Sequence, residues 1–129
     1  MIIHKNVKTT KRNEFVNITS MIQKALSEID KEDGCVTVYV PHTTAGVTIN
    51  ESADPDVVKD ILNHLEEMVP PNKGYAHLEG NADAHIKSSL IGCSISIPYE
   101  NGKLHLGTWQ GIFFCEFDGP RNRKLIIHI

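Results

Sequence analysis

The chain has 129 residues, 40% of them hydrophobic and 22% charged, enough to bury one core of its own and short for two domains. Its 13 basic and 16 acidic side chains leave a formal net charge of −3 and form no block of like charge, which argues against nucleic acid as a partner. No stretch has the apolar length of a membrane span, so no membrane partner is expected either.

The first residues, "MIIHKNVKTTKRNEF", carry their charge inside a strand-like segment rather than in a positive leader ahead of an apolar run, and a cytoplasmic protein is the expectation. "IIHKNVKT" alternates as a β-strand, "EFVNI" resumes the pattern after a polar turn at Lys11 to Asn13, and the two are expected to pair. From Thr19 onward Met21, Ile22, Ala25, Leu26 and Ile29 recur at helical spacing, with Ser20 and Gln23 as a capping box and Gly34 as the stop. "CVTVYVP" and "GVTIN" are β-branched runs separated by the polar break "HTTA". "DPDVVKDILNHLEEMVPP" opens on an N-cap, Asp54, followed by Pro55, carries an apolar stripe of Val57, Val58, Ile61, Leu62 and Leu65, and stops before Pro70 and Pro71.

The stretch "YAHLEGNADAHIKSSLIG" leads into a further helical segment and sets His77 and His85 eight residues apart, with Glu79, Asn81 and Asp83 between them. In the C-terminal third "SISIP" and "LHLGTW" flank the hairpin signal Asn101-Gly102, and "IFFCEF" and "KLIIHI" flank "DGPRNR". Strands outnumber helices and follow in hairpin order. The chain therefore reads as a single α+β domain over residues 1–129, a mostly antiparallel sheet curled toward a distorted β-barrel or sandwich, with two or three helices. Cys35, Cys93 and Cys115 lie in apolar runs without CxxC spacing, and read as small buried hydrophobes of a reducing compartment.

The polar residues that could carry chemistry fall at strand ends and helix starts, where loops gather side chains on a rigid frame. His42, His77 and His85 are there, while His4, His64, His105 and His128 sit within strands or on a helix face. Three neutral imidazoles with an open position would make a Lewis-acid centre, and the same three could instead hydrogen-bond locally or move protons without a metal. Among the carboxylates, Glu51 and Glu116 are candidate bases, with Glu79 as a further oxygen donor. Asp54, Asp83 and Asp118 suit helix starts and a turn. Glu116 interrupts an aromatic strand and needs a partner, for which Arg121 across the turn is the candidate. Thr43 and Thr44 offer hydroxyls and freed backbone N–H groups to an anion. Trp109 and Gln110 could stack on and hydrogen-bond a planar ligand, or serve a core or interface.

"HTTAGVTINE", "DPDV", "NADAHIKSSLIG", "GTWQGI" and "DGPRNRK", in this order over nearly the whole chain, resemble the YjbQ family, also known as the secondary thiamine-phosphate synthase family. The resemblance implies a homotrimer whose subunits gather polar residues in a pocket for a small phosphorylated metabolite. It implies His42, His77 and His85 as ligands of a divalent cation, zinc or magnesium. The catalytic set would be these histidines with Glu51 and Glu116, and the substrate contacts Thr43, Thr44, Asn81, Trp109, Gln110 and Arg121. The implied activity is that of a thiamine-phosphate synthase-like transferase, and a non-catalytic trimer binding a metal or metabolite is the alternative. In one respect the chain departs from the family pattern, which often has a second histidine near "DAHIK": two residues after His85 stands Lys87.

Overall fold

A computed structural model describes residues 1–129. Its strands are β1 (Ile2–Lys8), β2 (Glu14–Asn17), β3 (Asp33–Tyr39), β4 (Ala45–Glu51), β5 (Ser94–Glu100), β6 (Lys103–Leu104), β7 (Gln110–Glu116) and β8 (Asn122–His128). The helices are α1 (Thr19–Ser27), α2 (Pro55–Met68) and α3 (Ala82–Ile91). Every strand pair is antiparallel, in a five-stranded sheet of order β1-β8-β3-β5-β6 and a three-stranded sheet of order β2-β7-β4. This is the expected single α+β unit with three helices.

β1 and β2 form where alternation puts them but do not pair with each other. β1 lies on β8, with Asn6 opposite Lys124, and β2 lies on β7, with Glu14 opposite Glu116. The polar turn between them therefore crosses from one sheet to the other, over one end of the core. The core between the sheets takes the inward positions of each strand, among them Val36 and Val38 of β3 and Leu125 and Ile127 of β8, and α1 adds Ile22, Ala25 and Leu26. Burial of each such side chain contributes about 1.5–3 kcal/mol.

β7 is buried on both faces. Ile112 and Phe114 point into the inter-sheet core, whereas Phe113 and Cys115 pack with Phe117 against Leu65 of α2 and Ala84 of α3. The aromatic run is thus covered within the chain. α2 starts as read, with Asp54 Oδ1 accepting from the Asp56 N–H at 2.9 Å and Pro55 in the first turn.

Several local expectations need correction. α1 has no capping box: Asn17 Oδ1 accepts from the Thr19 N–H, and Gln23 instead bridges the hairpin, donating to Gly102 O and accepting from Leu104 N–H. α1 ends at Ser27, short of Gly34, which lies in β3. The hairpin turn is present, with Asn101 and Gly102 both at positive φ. Of the run "LHLGTW" only Leu104 is in a strand, β6, and farther on the Gln110 side chain accepts from Gly107 N–H in a turn. Of the cysteines only Cys115 is buried. Cys35 is on the outward phase of β3, opposite Pro98, and Cys93 precedes β5. No helix is long and apolar enough to cross a membrane.

Candidate functional site

At the end of the core crossed by the β1–β2 turn, the inward phase of β7 delivers Glu116 and that of β8 delivers Arg123, both essentially without solvent exposure. Arg123 Nε donates to Glu116 Oε1 at 2.9 Å, and Arg123 Nη2 donates to Oε2, so the fork ties one sheet to the other. Thr9 Oγ1 donates to Oε1 at 2.7 Å, and the Phe117 and Asp118 N–H groups both donate to Oε2 at 3.1 Å. Burial by itself would raise the Glu116 pKa, but these donors, Arg123 first, hold it below the ordinary carboxylate range. With both oxygens engaged, Glu116 is a strut rather than a free base. Gly119 lets the turn close over it: a Cβ there would stand 2.2 Å from Lys11 O and 2.8 Å from Glu116 Cγ.

The expected Glu116–Arg121 pair does not form. Arg121 lies in the turn, about half exposed, and its Nε and Nη2 donate to Asp118 O at 2.7 Å and Asp118 Oδ2 at 2.9 Å. A residue of β8 itself was needed to follow Glu116 into the core. The period-2 pattern could have found it, since Arg123 is in phase with the buried Leu125, Ile127 and Ile129.

Arg123 also donates through Nη2 to Thr44 Oγ1 at 2.8 Å, fixing the start of β4. Next to it the Lys124 N–H donates to His42 Nε2 at 2.9 Å. Burial lowers the His42 pKa, the charges of Arg123 and Arg121 lower it further, and Glu116 acts against them. On the other side of the same loop, Ser88 Oγ of α3 donates to Thr43 O at 2.6 Å. At the start of α3 Asn81 Nδ2 donates to Asp118 Oδ2 at 3.0 Å, while Asn81 Oδ1 is buried without a partner. Residues 81, 85 and 88 share one helix face, so His85 lies between the contact to the Asp118–Arg121 turn and the contact to Thr43. The His77 ring meets the His85 ring edge-on with centroids 5.3 Å apart, and His77 Nε2 is 3.7 Å from Glu79 Oε2.

The sequence-derived residues thus divide. His77, His85, Asn81, Thr43, Thr44, Arg121, Glu116 and His42 are gathered around the α3 face and the loops it touches. Glu51, Trp109 and Gln110 are at the opposite end of the β4–β7 pair, where Glu51 faces Gln110 while Ala45 faces Glu116, a separation of about 20 Å along the strands. Glu51 Oε2 accepts from the Asp54 N–H beside the start of α2, and the carbonyl of the exposed Trp109 accepts from Ser52 N–H. Within one chain no three His, Cys, Asp or Glu side chains are arranged to hold a metal ion. His42, His77 and His85 accordingly do not form the expected three-imidazole set inside a single subunit.

The opposite face of α3 holds a second charged cluster that the sequence reading missed. Lys87, 1% exposed, donates to Glu66 Oε2 at 2.7 Å and Asp83 Oδ2 at 3.1 Å, and Asp83 Oδ1 accepts from Arg12 at 2.9 Å. The i,i+4 spacing of Asp83 and Lys87 was its visible signal.

The model of the family described as UPF0047 protein YjbQ-like matches residues 4–129. A UPF0047 protein of Methanocaldococcus jannaschii is 57% identical over 129 residues, covering 100% of this chain and 94% of that protein. The UPF0047 protein YugU of Bacillus subtilis is 52% identical over 94% of this chain and 92% of its own. Among solved structures, that of an uncharacterized conserved protein of the YjbQ/UPF0047 family from Clostridium acetobutylicum superposes with a TM-score of 0.96 at 54% identity, covering 98% of both chains. By family model, sequence and fold alike, the chain belongs to the YjbQ-like UPF0047 family.

Proposed function

We propose that the chain is a small-molecule enzyme acting on phosphorylated metabolites, with thiamine-phosphate synthase-like transfer as the first chemistry to test. One observation carries the reading: α3 is bound to the Asp118–Arg121 turn through Asn81 and to the Thr43 loop through Ser88, and His85 lies on the same helix face between those two contacts. Arg121, Thr43 and the His85–His77 pair are thus carried by elements that α3 holds together, beside strands that the buried Glu116–Arg123 pair stiffens. In this reading Arg121 and Thr43 take the phosphate, and His85 with His77 moves the proton.

The divalent cation and the homotrimer are parts of the same proposal. His77 stands against both His85 and Glu79, yet one chain does not complete a set of three. A zinc or magnesium ion would need donors from a second copy, and no step of the chemistry above depends on it. Leu78, Ile86 and Leu90, exposed beside these histidines, are the apolar surface that supports a subunit boundary there. The alternative, a non-catalytic metabolite-binding trimer, is favoured by the full engagement of Glu116, which leaves no free carboxylate beside His42.

The test is a thermal-shift screen with inorganic phosphate, pyrophosphate and thiamine phosphate, beside a transfer assay joining a pyrimidine pyrophosphate to a thiazole phosphate with and without EDTA. Stabilisation by phosphate compounds that Arg121→Ala weakens, together with turnover, supports the enzyme. Stabilisation without turnover supports the binding protein, and turnover untouched by EDTA removes the cation. Because Arg121 is half exposed and pairs only locally, its replacement should change stability by less than about 1 kcal/mol. Light scattering that returns a monomer mass would end the trimer.

A further inference from the structure

Resting on the reading of this loop cluster as a phosphate-binding edge, we propose that His42 is a fixed hydrogen-bond donor, presenting Nδ1–H to a phosphate oxygen, and acts neither as a base nor as a metal ligand. The reason begins in the sheet. β3 pairs with β8 through Val38–Ile127 and Tyr39–Ile126 and then peels away. The same register continued would set Pro41 opposite Lys124, but the chain has turned off. The Lys124 N–H would be left without a strand partner, and the His42 ring supplies one through Nε2 at 2.9 Å.

That contact fixes the chemistry of the ring. A nitrogen that accepts a hydrogen bond carries no proton, so the single proton of the neutral imidazole is on Nδ1. The flipped ring would set Cε1–H against the Lys124 N–H and lose the bond. A metal would have to displace a backbone hydrogen bond at the sheet edge to reach Nε2. Protonation of Nε2 would turn donor against donor, and the surrounding charges oppose it. Arg123 from β8 and Arg121 from the turn are positive, while Glu116 from β7, the carboxylate that acts against them, is engaged by Arg123.

No protein group accepts from Nδ1. The ring borders a shallow groove of about 440 Å³ lined by Tyr39, Val40, Pro41, His42 and Thr43, with no carboxylate among them. A phosphate dianion offers only acceptors, so a locked N–H donor is the complementary group and a free imidazole lone pair would not be.

The experiment is long-range ¹H–¹⁵N spectroscopy of the histidine rings in the full chain, with His42 assigned from His42→Ala, followed by titration with inorganic phosphate. The expected spectrum has a protonated Nδ1 and an unprotonated Nε2 at neutral pH, phosphate moves the Nδ1–H signal, and added Zn²⁺ leaves the His42 ring in place. His42→Asn, whose amide N–H occupies roughly the Nδ1 position, should keep most of the phosphate affinity. His42→Ala should lose it about tenfold, the worth of one hydrogen bond to a charged group. An Nε2–H tautomer, a zinc-shifted His42 ring, or an Asn variant as weak as the Ala variant overturns the donor assignment even if phosphate binds. If the Nδ1–H tautomer is present and phosphate does not bind the wild-type chain, the phosphate edge fails and the donor role with it, leaving His42 a cap on the sheet. The wild-type spectra decide the tautomer whether or not the variants fold.

Discussion

Two buried ionic clusters stand on either side of α3's environment, and they are built differently. In the Glu116–Arg123 cluster both charged groups are inside, and every carboxylate oxygen is met by a guanidinium, a hydroxyl or a backbone N–H. In the Lys87 cluster the middle pair, Lys87 and Asp83, is buried, but the outer partners Glu66 and Arg12 are each 42% exposed. The closed cluster joins two sheets and has no alternative partner in reach. The open one joins α3 to α2 and to the β1–β2 turn, and water can replace what it loses. The difference teaches which cluster can be a rigid base for the candidate site: the closed one, whose arginine also holds Thr44 and whose neighbour Lys124 holds His42.

The comparison is broken most directly by Arg123→Met, which leaves the Glu116 carboxylate buried with its strongest donor gone. Urea denaturation should register a loss of about 3–5 kcal/mol, and the His42 and Thr44 resonances should move together. A loss under about 1 kcal/mol would mean that the closed cluster is no more demanding than a surface pair. Lys87→Met tests the open cluster. Asp83 keeps Arg12 and Glu66 turns to solvent, so the expected loss is smaller, about 1–3 kcal/mol. If Lys87→Met costs as much as Arg123→Met, exposure of the outer partners is not what separates the two.

Acid sharpens the contrast with a smaller effect. The folded-state pKa of Glu116 lies below its unfolded value near 4.3. Below the unfolded pKa the unfolded chain takes up a proton that the folded chain refuses. The stability Glu116 contributes is therefore fully present above about pH 4.3 and is lost as pH falls through the folded value. Chemical denaturation of the wild type and of Glu116→Gln at a series of pH values should give curves that converge in this window. Parallel curves down to the lowest pH at which both fold would mean that the carboxylate is not held ionised by Arg123.

Much of the site's surroundings was legible in the residues. A carboxylate inside "IFFCEF" demands a partner because an unpaired buried charge is too costly, and that reasoning holds for Glu116. The choice of Arg121 failed because proximity in sequence was weighed above strand phase, and phase decides which side chains of a strand can enter the core. Pairing β1 with β2 failed for a related reason: alternation shows which face of a strand is apolar but not which strand lies beside it. The structure puts His42 in the break between β3 and β4, His77 ahead of α3 and His85 within α3. The partner of His42 was not legible, because a backbone N–H left over at a peeling strand has no signature in composition or spacing.

By itself the sequence determined the α+β class, the N-cap of α2, the hairpin at Asn101-Gly102 and the need for a buried partner to Glu116, each through a local rule of period, capping or desolvation. Tertiary structure alone decided that Arg123 is that partner, that Lys87 is enclosed by two carboxylates, and that His42 caps the Lys124 N–H while His77 and His85 pair edge-on. These contacts join residues from 4 to 82 positions apart. Most of them depend on how two sheets and a helix meet, a geometry that hydrophobic burial sets for the whole chain and that no single segment encodes.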